Sequence, residues 1–300
     1  MSENKTPLIS VGIPTYNRPD GLRRTLGEIS KQTYQNLEII VSDNASPTNE
    51  VENVVREFML SDNRIRYFRQ ELNIGIQTNF QFVLEKSSGE YFIWCADDDW
   101  HKPEYIAALL EARHADESSV IAFCNFDIRD ENGKRLSDHP DSSAALRLMA
   151  GENSLIRRLR FFILPEGRAI PHAIYGLLPM SILRNFSWQM FIRRYGEYGA
   201  DTLFVFWLLG QGRLTLSECK LFGCTVNNQK HYIPAQKSSL VKRFRSVRER
   251  INYLLSFIRI AKGWTRLALL CVFPLKLAET FYSMTVREPL RSVIRAHKAR

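Results

Sequence analysis

Three consecutive aspartates, Asp97, Asp98 and Asp99, follow the apolar run Tyr91–Cys95. Adjacent carboxylates repel one another unless a cation or hydrogen-bond donors neutralise them. Hard carboxylate oxygens suit Mg²⁺ or Mn²⁺, which take one or two protein carboxylates and complete their shell with water and phosphate oxygens. The triplet therefore predicts a divalent cation beside a diphosphate ligand. The alternative is a solvated acidic turn that caps a helix beginning near Glu104.

Two other polar segments also follow apolar runs. The first comprises Pro14, Thr15, Tyr16, Asn17 and Arg18, and the second runs from Ser42 to Ser46. Ligands of open α/β sheets bind outside the carboxyl ends of the strands. We therefore expect the loops after Ile13, Val41 and Cys95 to form one site.

The elements that must position these loops alternate between strand and helix. Strands are predicted at Leu8–Pro14, Leu37–Val41, Ile65–Phe68, Tyr91–Cys95, Val120–Phe126 and, extended, Ala173–Met180. Helices are predicted at Leu22–Gln32, Val51–Leu60, Asn79–Ser87, Glu104–Ala115 and Asp201–Leu209. This alternation predicts an α/β fold with a mostly parallel sheet flanked by helices.

Composition excludes several classes of protein. The 300 residues, 45% of them hydrophobic, can bury a full core. The five cysteines form no CxxC pair, which argues against structural zinc or disulfides, and no GxGxxG motif follows the first strand. The polar segment 1–8 lacks the order of a signal peptide, so we expect a cytoplasmic protein.

Positive charge is concentrated at the end of the chain. Residues 241–300 contain 14 Lys and Arg and three acids, a surplus of 11, whereas the net charge of the whole chain is +9. From Leu240 to Ile258 apolar residues recur every three to four positions with arginines between them, as in a basic amphipathic helix. Leu267–Ala278 is apolar, but Pro274 and Lys276 interrupt it, and it is too short to cross a bilayer.

We therefore divide the chain into residues 1–240 and a basic helical region, 241–300. A charge excess confined to one end favours a local anionic partner over nucleic acid. We expect 241–300 to contact the inner face of the cell membrane peripherally; the alternative is that this helix packs on residues 1–240.

The motifs together resemble the family-2 GT-A glycosyltransferases. The matching segments are Val11-Gly12-Ile13-Pro14-Thr15-Tyr16-Asn17-Arg18, Glu38 to Ser46, Asn73-Ile74-Gly75 with Asn79, and Gly89 to Asp99, which ends in the family's DxD motif. The resemblance covers residues 7–126 and implies the Rossmann-like GT-A fold, a nucleotide-diphosphate sugar as donor and a bound metal. One departure is Gln77-Thr78-Asn79, where many members of the family have Ala-Arg-Asn.

The resemblance also implies roles for individual residues. The nucleotide-sugar site would contain Pro14, Thr15, Tyr16, Asn17, Arg18, Asp43, Asn44, Asn73, Gly75, Asn79, Asp97 and Asp98. Asp43 would accept a hydrogen bond from the base, Asp97 or Asp98 would hold the ribose, and Asp99, together with Asp97, would ligate the metal. Each of these residues also has a purely structural interpretation, as a turn residue, a helix N-cap or a surface charge.

An inverting transfer requires a base for the acceptor hydroxyl. Asp201 is our candidate because it precedes an apolar helix, as the corresponding acid of the family does, although it could also be that helix's N-cap. Glu197 is the second choice. His231 and His172 are weaker candidates for contacts with the diphosphate and the acceptor.

We thus expect a metal-dependent transferase that moves a hexosyl-type sugar from a UDP- or dTDP-sugar to a saccharide or lipid-linked acceptor in surface polysaccharide or glycan biosynthesis. Two alternatives remain open: a non-catalytic nucleotide-binding scaffold of a glycan assembly complex, and a nucleotidyltransferase. The latter would release pyrophosphate instead of a nucleoside diphosphate.

Overall fold

A computed structural model describes residues 6–130, 132–136, 142–151, 153–164, 170–225 and 240–287. Its strands are β1 (Ile9–Thr15), β2 (Leu37–Asp43), β3 (Ile65–Arg69), β4 (Tyr91–Trp94), β5 (Trp100–His101), β6 (Ser119–Arg129), β7 (Leu178–Pro179) and β8 (Arg213–Thr225). Its helices are α1 (Pro19–Ser30), α2 (Glu50–Met59), α3 (Ile76–Glu85), α4 (Tyr105–His114), α5 (Ser142–Met149), α6 (Ser154–Ile163), α7 (Met180–Leu183), α8 (Trp188–Tyr195), α9 (Ala200–Leu208), α10 (Leu240–Ile260) and α11 (Gly263–Tyr282).

The main sheet has the strand order β3-β2-β1-β4-β7. The first four strands are parallel and β7 is antiparallel to β4. All seven residues of β1 are buried, as expected for the central strand of a sheet covered on both faces. The predicted α/β fold with a mostly parallel sheet is therefore confirmed.

A second sheet, of order β5-β8-β6, adjoins the first. Strand β8 runs parallel to β6 and antiparallel to β5, which follows the aspartate triplet directly. Helix α4 begins only at Tyr105 and its N-cap residue is Glu104, so the triplet does not cap that helix.

The prediction of an extended segment at Ala173–Met180 holds only for Leu178 and Pro179 and is wrong for its first residues. Ile170–Tyr175 forms a 3₁₀ helix, and only Leu178 and Pro179 form a strand. A 3₁₀ helix places residues three positions apart on one side, whereas a strand would place them on opposite faces. His172 and Tyr175 accordingly lie on the same side, their rings packed near Phe126 and Phe222.

The C-terminal helices pack on the rest of the protein. Helix α10 contacts α8 and α9, and helix α11 contacts α10 and α6. Tyr253, Leu254, Phe257 and Ile258 are buried, so the apolar face of α10 is covered in its second half. The described part of this helix therefore packs on residues 1–240, which is the second of the two predicted possibilities.

The segment that we expected to be too short to cross a bilayer belongs to a longer helix, and that expectation is wrong. Residues Gly263–Val286 are helical without interruption and are long and apolar enough to span a membrane by length and composition. Pro274 removes one backbone hydrogen bond without ending the helix. Lys276 does not interrupt it either, because its ammonium group is satisfied by neighbouring oxygens, as described below.

Candidate active site

The carboxyl ends of β1 and β4 meet at the point where the strand order of the main sheet reverses. There the Thr15 hydroxyl donates to Asp97 Oδ2 over 2.7 Å. The Arg18 guanidinium lies 3.2 Å from Asp97 Oδ1 and also contacts Asp98. One cation supplied by the chain therefore faces two of the three carboxylates.

Burial raises the pKa of two members of the triplet. The pKa of Asp97 rises to about 6 because the carboxyl is desolvated, although Arg18 opposes the shift. The pKa of Asp99 rises to about 8 because of desolvation and, next, the neighbouring Asp98 charge. A hydrogen bond of 3.0 Å from the Thr225 backbone N–H to Asp99 Oδ1 compensates only in part. The charge of an ionised Asp99 carboxylate is thus only partly compensated by neighbouring groups.

Helix α1 fixes the backbone of the triplet from the other side. Arg24 donates to the Asp98 carbonyl over 2.5 Å, and its guanidinium lies over the Trp100 ring. A Cβ atom at Gly21 would come within 2.4 Å of the Asp97 carbonyl oxygen. Glycine at this position therefore lets α1 closely approach the acidic loop, residues 96–99.

The loop after β2 is held by its own side chains. Asp43 is fully buried, and its Oδ1 accepts from the backbone N–H and hydroxyl of Ser46, while Tyr67 donates to Oδ2 over 3.1 Å. Ser46 Oγ in turn accepts from the backbone N–H of Asn17 over 2.8 Å, where Asn17 has a φ of 55°. Asp43 thus shapes the loop that carries the neighbouring site residues.

Three of the four asparagines assigned to the nucleotide site, Asn44, Asn73 and Asn79, form two groups. Asn44 Nδ2 donates to Asn73 Oδ1 over 3.1 Å, and Asn73 Oδ1 also accepts from the Gly75 N–H. Asn79 is buried and exchanges hydrogen bonds with the side chain and carbonyl of Ser42. These contacts join the start of α3 to the end of β2.

A cavity of about 340 Å³ opens between these loops. It is lined by Pro14, Thr15, Tyr16, Arg18, Asn44, Ile76, Asn79, Phe80, Ala96, Asp97 and Asp98. The structure thus brings together eight of the predicted site residues. Asn17, Asp43, Asn73, Gly75 and Asp99 are not among the lining residues, although each touches a loop that forms the wall.

A second cavity, of about 440 Å³, shares Ile76 and Phe80 with the first. Its other lining residues are Gln77, Pro171, His172, Ile174, Tyr175, Trp188, Glu197, Gly199, Ala200 and Asp201. Both candidate bases therefore face a space adjoining the one at the aspartate triplet.

The two acids of the second cavity are held differently. Asp201 is exposed at the second position of α9, after the N-cap residue Gly199, and its Oδ1 accepts from the Thr202 N–H over 2.7 Å. Glu197 Oε1 accepts from the side-chain amide of Gln77 over 2.9 Å. Gln77, which lies in the segment that departs from the family pattern, thus supplies a hydrogen-bond donor to Glu197.

Some residues of these cavities had no recognisable signal in the sequence. Thr225 reaches the triplet from the end of β8, more than 120 positions away, and Arg24 resembles any surface arginine of an amphipathic helix. His172 lines the second cavity, with its Nε2 2.9 Å from Cys224 Sγ. His231 lies outside the described residues.

The family profile described as "Glycosyl transferase family 2" matches residues 10–185, more than half of the chain. The chain belongs to this family. It is 30% identical to an uncharacterized glycosyltransferase of Rickettsia felis over 58% of its own length and 27% of that protein. It is 32% identical, over 39% of its length and 38% of the relative, to the GalNAc(5)-diNAcBac-PP-undecaprenol beta-1,3-glucosyltransferase of Campylobacter jejuni. The chain thus spans well under half the length of these curated relatives.

Solved structures support the fold. The S. aureus TarS 1–349 complex with UDP-GlcNAc superposes with a TM-score of 0.62 at 16% identity, covering 93% of this chain and 74% of that one. The mannosyltransferase PcManGT from Pyrobaculum calidifontis, in complex with GDP-Man and Mn²⁺, gives a TM-score of 0.56 at 17% identity, over 98% and 80% of the two chains. The GT-A architecture predicted from the sequence is therefore confirmed.

Proposed function

We propose that this protein transfers a sugar from a UDP- or dTDP-sugar to a saccharide or lipid-linked acceptor with inversion at the anomeric carbon. The observation that carries the proposal is the shared wall of the two cavities. One contains Arg18 and the acidic loop, and the other contains Asp201. A donor in the first would present its sugar across Ile76 and Phe80 to an acceptor in the second.

The first cavity has the chemistry of a nucleotide-diphosphate site. In our proposal, Asp97 or Asp98 accepts hydrogen bonds from the ribose, and Arg18 pairs with either the carboxylates or the diphosphate. Asp43 is the proposed partner of the base N–H. Its Oδ1 already accepts from the Ser46 N–H and hydroxyl, whereas its Oδ2 accepts one hydrogen bond, from Tyr67, so the base N–H would bind at Oδ2.

The carboxylates fit a hard divalent cation, and we propose Mn²⁺ or Mg²⁺ held by Asp99 and Asp97. Asp99 is buried with one backbone donor, from Thr225, and desolvation together with the neighbouring Asp98 charge raises its pKa. Among the described residues no group of three or more His, Cys, Asp or Glu could hold a metal; Mn²⁺ and Mg²⁺ take one or two protein carboxylates and complete their shell with water and phosphate oxygens. Bound there, the cation would stabilise charge on the departing diphosphate.

Asp201 would act as the general base. As the acceptor hydroxyl oxygen bonds to the anomeric carbon, the bond from that carbon to the diphosphate breaks on the opposite face. The hydroxyl proton passes to Asp201, and the nucleoside diphosphate leaves. The Asp201 carboxylate is exposed, and its Oδ1 accepts a hydrogen bond from Thr202. In our proposal Oδ2 accepts the proton of the acceptor hydroxyl.

A lipid-linked acceptor is the choice we favour among acceptors. The Campylobacter relative is named for an undecaprenol-linked substrate, and the basic end of this chain suits an anionic membrane surface. We therefore place the protein in the cytoplasm at the inner face of the membrane, in surface glycan synthesis, with 1–240 as the catalytic part and 241–300 as the docking region.

Thermal stabilisation by nucleoside diphosphates, with and without Mn²⁺, tests donor binding. A ligand at 100 times its dissociation constant adds about 2.7 kcal/mol to the unfolding free energy. We expect UDP or dTDP to raise Tm in a Mn²⁺-dependent manner, and Asp99→Asn to remove the metal dependence. No shift with any nucleotide would favour the scaffold alternative, and pyrophosphate as product would favour the nucleotidyltransferase.

The base is tested by comparing Asp201→Asn with Glu197→Gln. Loss of a general base lowers the rate by about 10²- to 10⁴-fold. We expect this loss in kcat for Asp201→Asn with an unchanged nucleotide-induced Tm shift, and a smaller loss for Glu197→Gln. The reverse order of the two variants would transfer the role to Glu197.

A further inference from the structure

Helix α11 buries mostly polar side chains and exposes mostly apolar ones, whereas a helix of a water-soluble domain does the reverse. Three of the four side chains in it that are buried are polar: Thr265, Lys276 and Thr280, with Leu269 as the fourth. The exposed side is mostly apolar, and its large side chains are Trp264, Leu267, Leu270, Leu275, Phe281 and Tyr282. Trp264 and Leu275 are 80% and 74% exposed.

Lys276 and Thr280, two of the inward polar residues, have hydrogen-bond partners in the protein. The Lys276 ammonium group donates to the carbonyl of Leu164 over 2.9 Å and lies 3.0 Å from Glu279 Oε2. A cation at the carboxyl end of α6 also interacts favourably with that helix's dipole. Thr280 donates to the Lys276 carbonyl over 2.9 Å. The bond from Lys276 to the Leu164 carbonyl joins α11 to the end of α6, and the apolar side of α11 faces outwards.

Large apolar side chains exposed together on one face of a helix mark an interaction site in a protein surrounded by water. Trp264 and Tyr282 stand at its two ends, about 27 Å apart at 1.5 Å per residue. Trp and Tyr are the side chains that concentrate at the boundary between water and lipid. The arrangement therefore matches an apolar strip with an interfacial aromatic residue at each end.

Charge at one end of the strip favours lipid over a protein partner. Lys262 and Arg266 are exposed beside Trp264, and Arg259 is exposed at the end of α10. These lie within the basic end of the chain, where the surplus of 11 positive charges is concentrated. Basic residues next to an apolar strip suit an anionic bilayer surface.

We propose that the outward face of α11 lies in the plane of an anionic membrane, with Leu267, Leu270 and Leu275 inserted at the boundary between headgroups and acyl chains. This inference deepens the proposed function, because it rests on the membrane contact of residues 241–300 and assigns that contact to one helix face. The helix lies on the bilayer and does not cross it. Crossing would carry Lys276 and Glu279 into hydrocarbon and break the contacts with α6.

Vesicle flotation of the full chain, with phosphatidylglycerol in phosphatidylcholine, tests the face. Leu267→Gln/Leu275→Gln is expected to lower the partition coefficient at least tenfold. The matched control is Met59→Gln/Leu60→Gln, which removes two exposed apolar side chains from the end of α2 and is expected to leave binding unchanged. Equal binding of both variants would overturn the assignment of membrane contact to this face of α11. Hydrolysis of the sugar donor in solution, measured in parallel, tests the proposed transferase activity independently of membrane binding.

Cys271, exposed near the middle of α11, reports the depth of insertion. In a Cys219→Ser background, an environment-sensitive fluorophore on Cys271 is expected to shift to the blue with vesicles and to be quenched by lipids labelled at shallow positions, about 5–10 Å deep. Quenching at the bilayer midplane would mean a crossing helix. A Leu-dependent dimer without vesicle binding would mean that a second copy covers the face. Either result contradicts the proposal.

Discussion

At the scale of single residues, the acidic loop combines burial with a shortage of positive charge. Arg18 faces Asp97 and Asp98, whereas Asp99 has one backbone donor, from Thr225. Charge that is poorly compensated in the folded state lowers stability and is often found where a ligand will supply the missing charge. The acidic loop should therefore reduce the stability of the protein when no ligand is bound.

Asp99→Asn is expected to stabilise the metal-free protein. The pKa of Asp99 is raised to about 8 in the folded state, against about 3.9 in the unfolded chain. Stability therefore falls as the pH rises from about 4 to 8, because the unfolded state releases this proton more readily. The variant lacks this loss, so its Tm in EDTA should exceed that of wild type by an amount that grows from pH 5 to pH 8. We expect 2–4 °C, the shift that roughly 1 kcal/mol produces.

Asp62→Asn is a control in which the effect on stability at neutral pH has the opposite sign, because the pKa of Asp62 is lowered whereas that of Asp99 is raised. The hydrogen bond from Arg64 holds the pKa of Asp62 below its usual range, so its stabilising contribution is present above the unfolded pKa and is lost at lower pH. This variant should be less stable than wild type at pH 7 and approach it towards pH 3. An Asp99→Asn protein that is also less stable at pH 8 would mean that the carboxylate is compensated by groups we have not identified.

At the scale of elements, α1 places the acidic loop through a close backbone contact. The chain passes from β1 into α1 within a few residues, and Gly21 lies against the Asp97 carbonyl. Gly27, in the same helix, has only ordinary contacts with the Phe58 ring. Substituting each glycine by alanine therefore distinguishes two effects: the change in helix propensity, which both variants share, and the loss of the close contact with the acidic loop, which only Gly21→Ala has.

Gly27→Ala should stabilise the protein by about 0.5–1 kcal/mol, because alanine restricts the unfolded chain and has a higher helix propensity. Gly21→Ala has the same change in propensity, but its Cβ would be 2.4 Å from the Asp97 oxygen, so α1 or the loop must move. We expect it to lower both Tm and the nucleotide-induced shift, as measured by thermal unfolding. A nucleotide shift equal to that of Gly27→Ala would show that the loop position does not matter for binding.

The loop before Asp201 depends on α10 in a comparable way. Gly199 has a φ of 64°, and a Cβ there would meet the Tyr253 ring at 2.5 Å. Gly196 also has a positive φ, but no atom lies within 4 Å of its Cβ position. Ser256 adds a hydrogen bond of 2.7 Å to the Tyr195 carbonyl. Helix α10 therefore helps to fix the loop that precedes the candidate base.

Gly199→Ala is expected to lower kcat more than Gly196→Ala, since only the first combines backbone strain, on the order of 1 kcal/mol, with a steric clash. Tyr253→Ala should restore part of that loss, because it removes the ring against which the new methyl group packs. A double-mutant cycle in kcat and in unfolding free energy measures the coupling. Additive effects would contradict a direct contact between helix and loop.

The sequence predicted the elements whose pattern is local and missed the contacts that depend on distant segments. Strands β1, β2 and β4 each carry a continuous apolar run that ends in polar residues, so their shared site was predictable. Thr225 joins the acidic loop from β8 only because the second sheet abuts it. The 3₁₀ turn at His172 follows from ring packing that no periodicity reveals.

The length of α11 differs from the sequence prediction for a related reason. Pro274 and Lys276 interrupt an apolar run in the sequence, but neither ends the helix. The Lys276 ammonium group binds the Leu164 carbonyl at the end of α6 and Glu279 on α11 itself. Burial of the polar side of this helix could not be read from the sequence, because it depends on which face α6 covers.

At the scale of the whole molecule, charge and apolar surface lie in the same region. The basic surplus is confined to residues 241–300, and the exposed apolar face of α11 lies within them. The remainder of the chain carries a small negative charge, so attraction to an anionic surface would orient the molecule with this end towards the bilayer.

The two contributions to membrane binding should respond differently to salt. Each Lys or Arg near an anionic surface contributes about 1 kcal/mol, screened over a Debye length of about 10 Å at 0.1 M and about 3 Å at 1 M salt. Raising NaCl from 0.05 to 0.5 M should therefore reduce flotation with anionic vesicles at least tenfold, while the weaker binding to neutral vesicles changes little. The binding that remains at high salt should be the part removed by Leu267→Gln/Leu275→Gln. Binding to anionic vesicles that does not depend on salt would mean that the basic residues stay away from the bilayer, and that the apolar face of α11 acts alone.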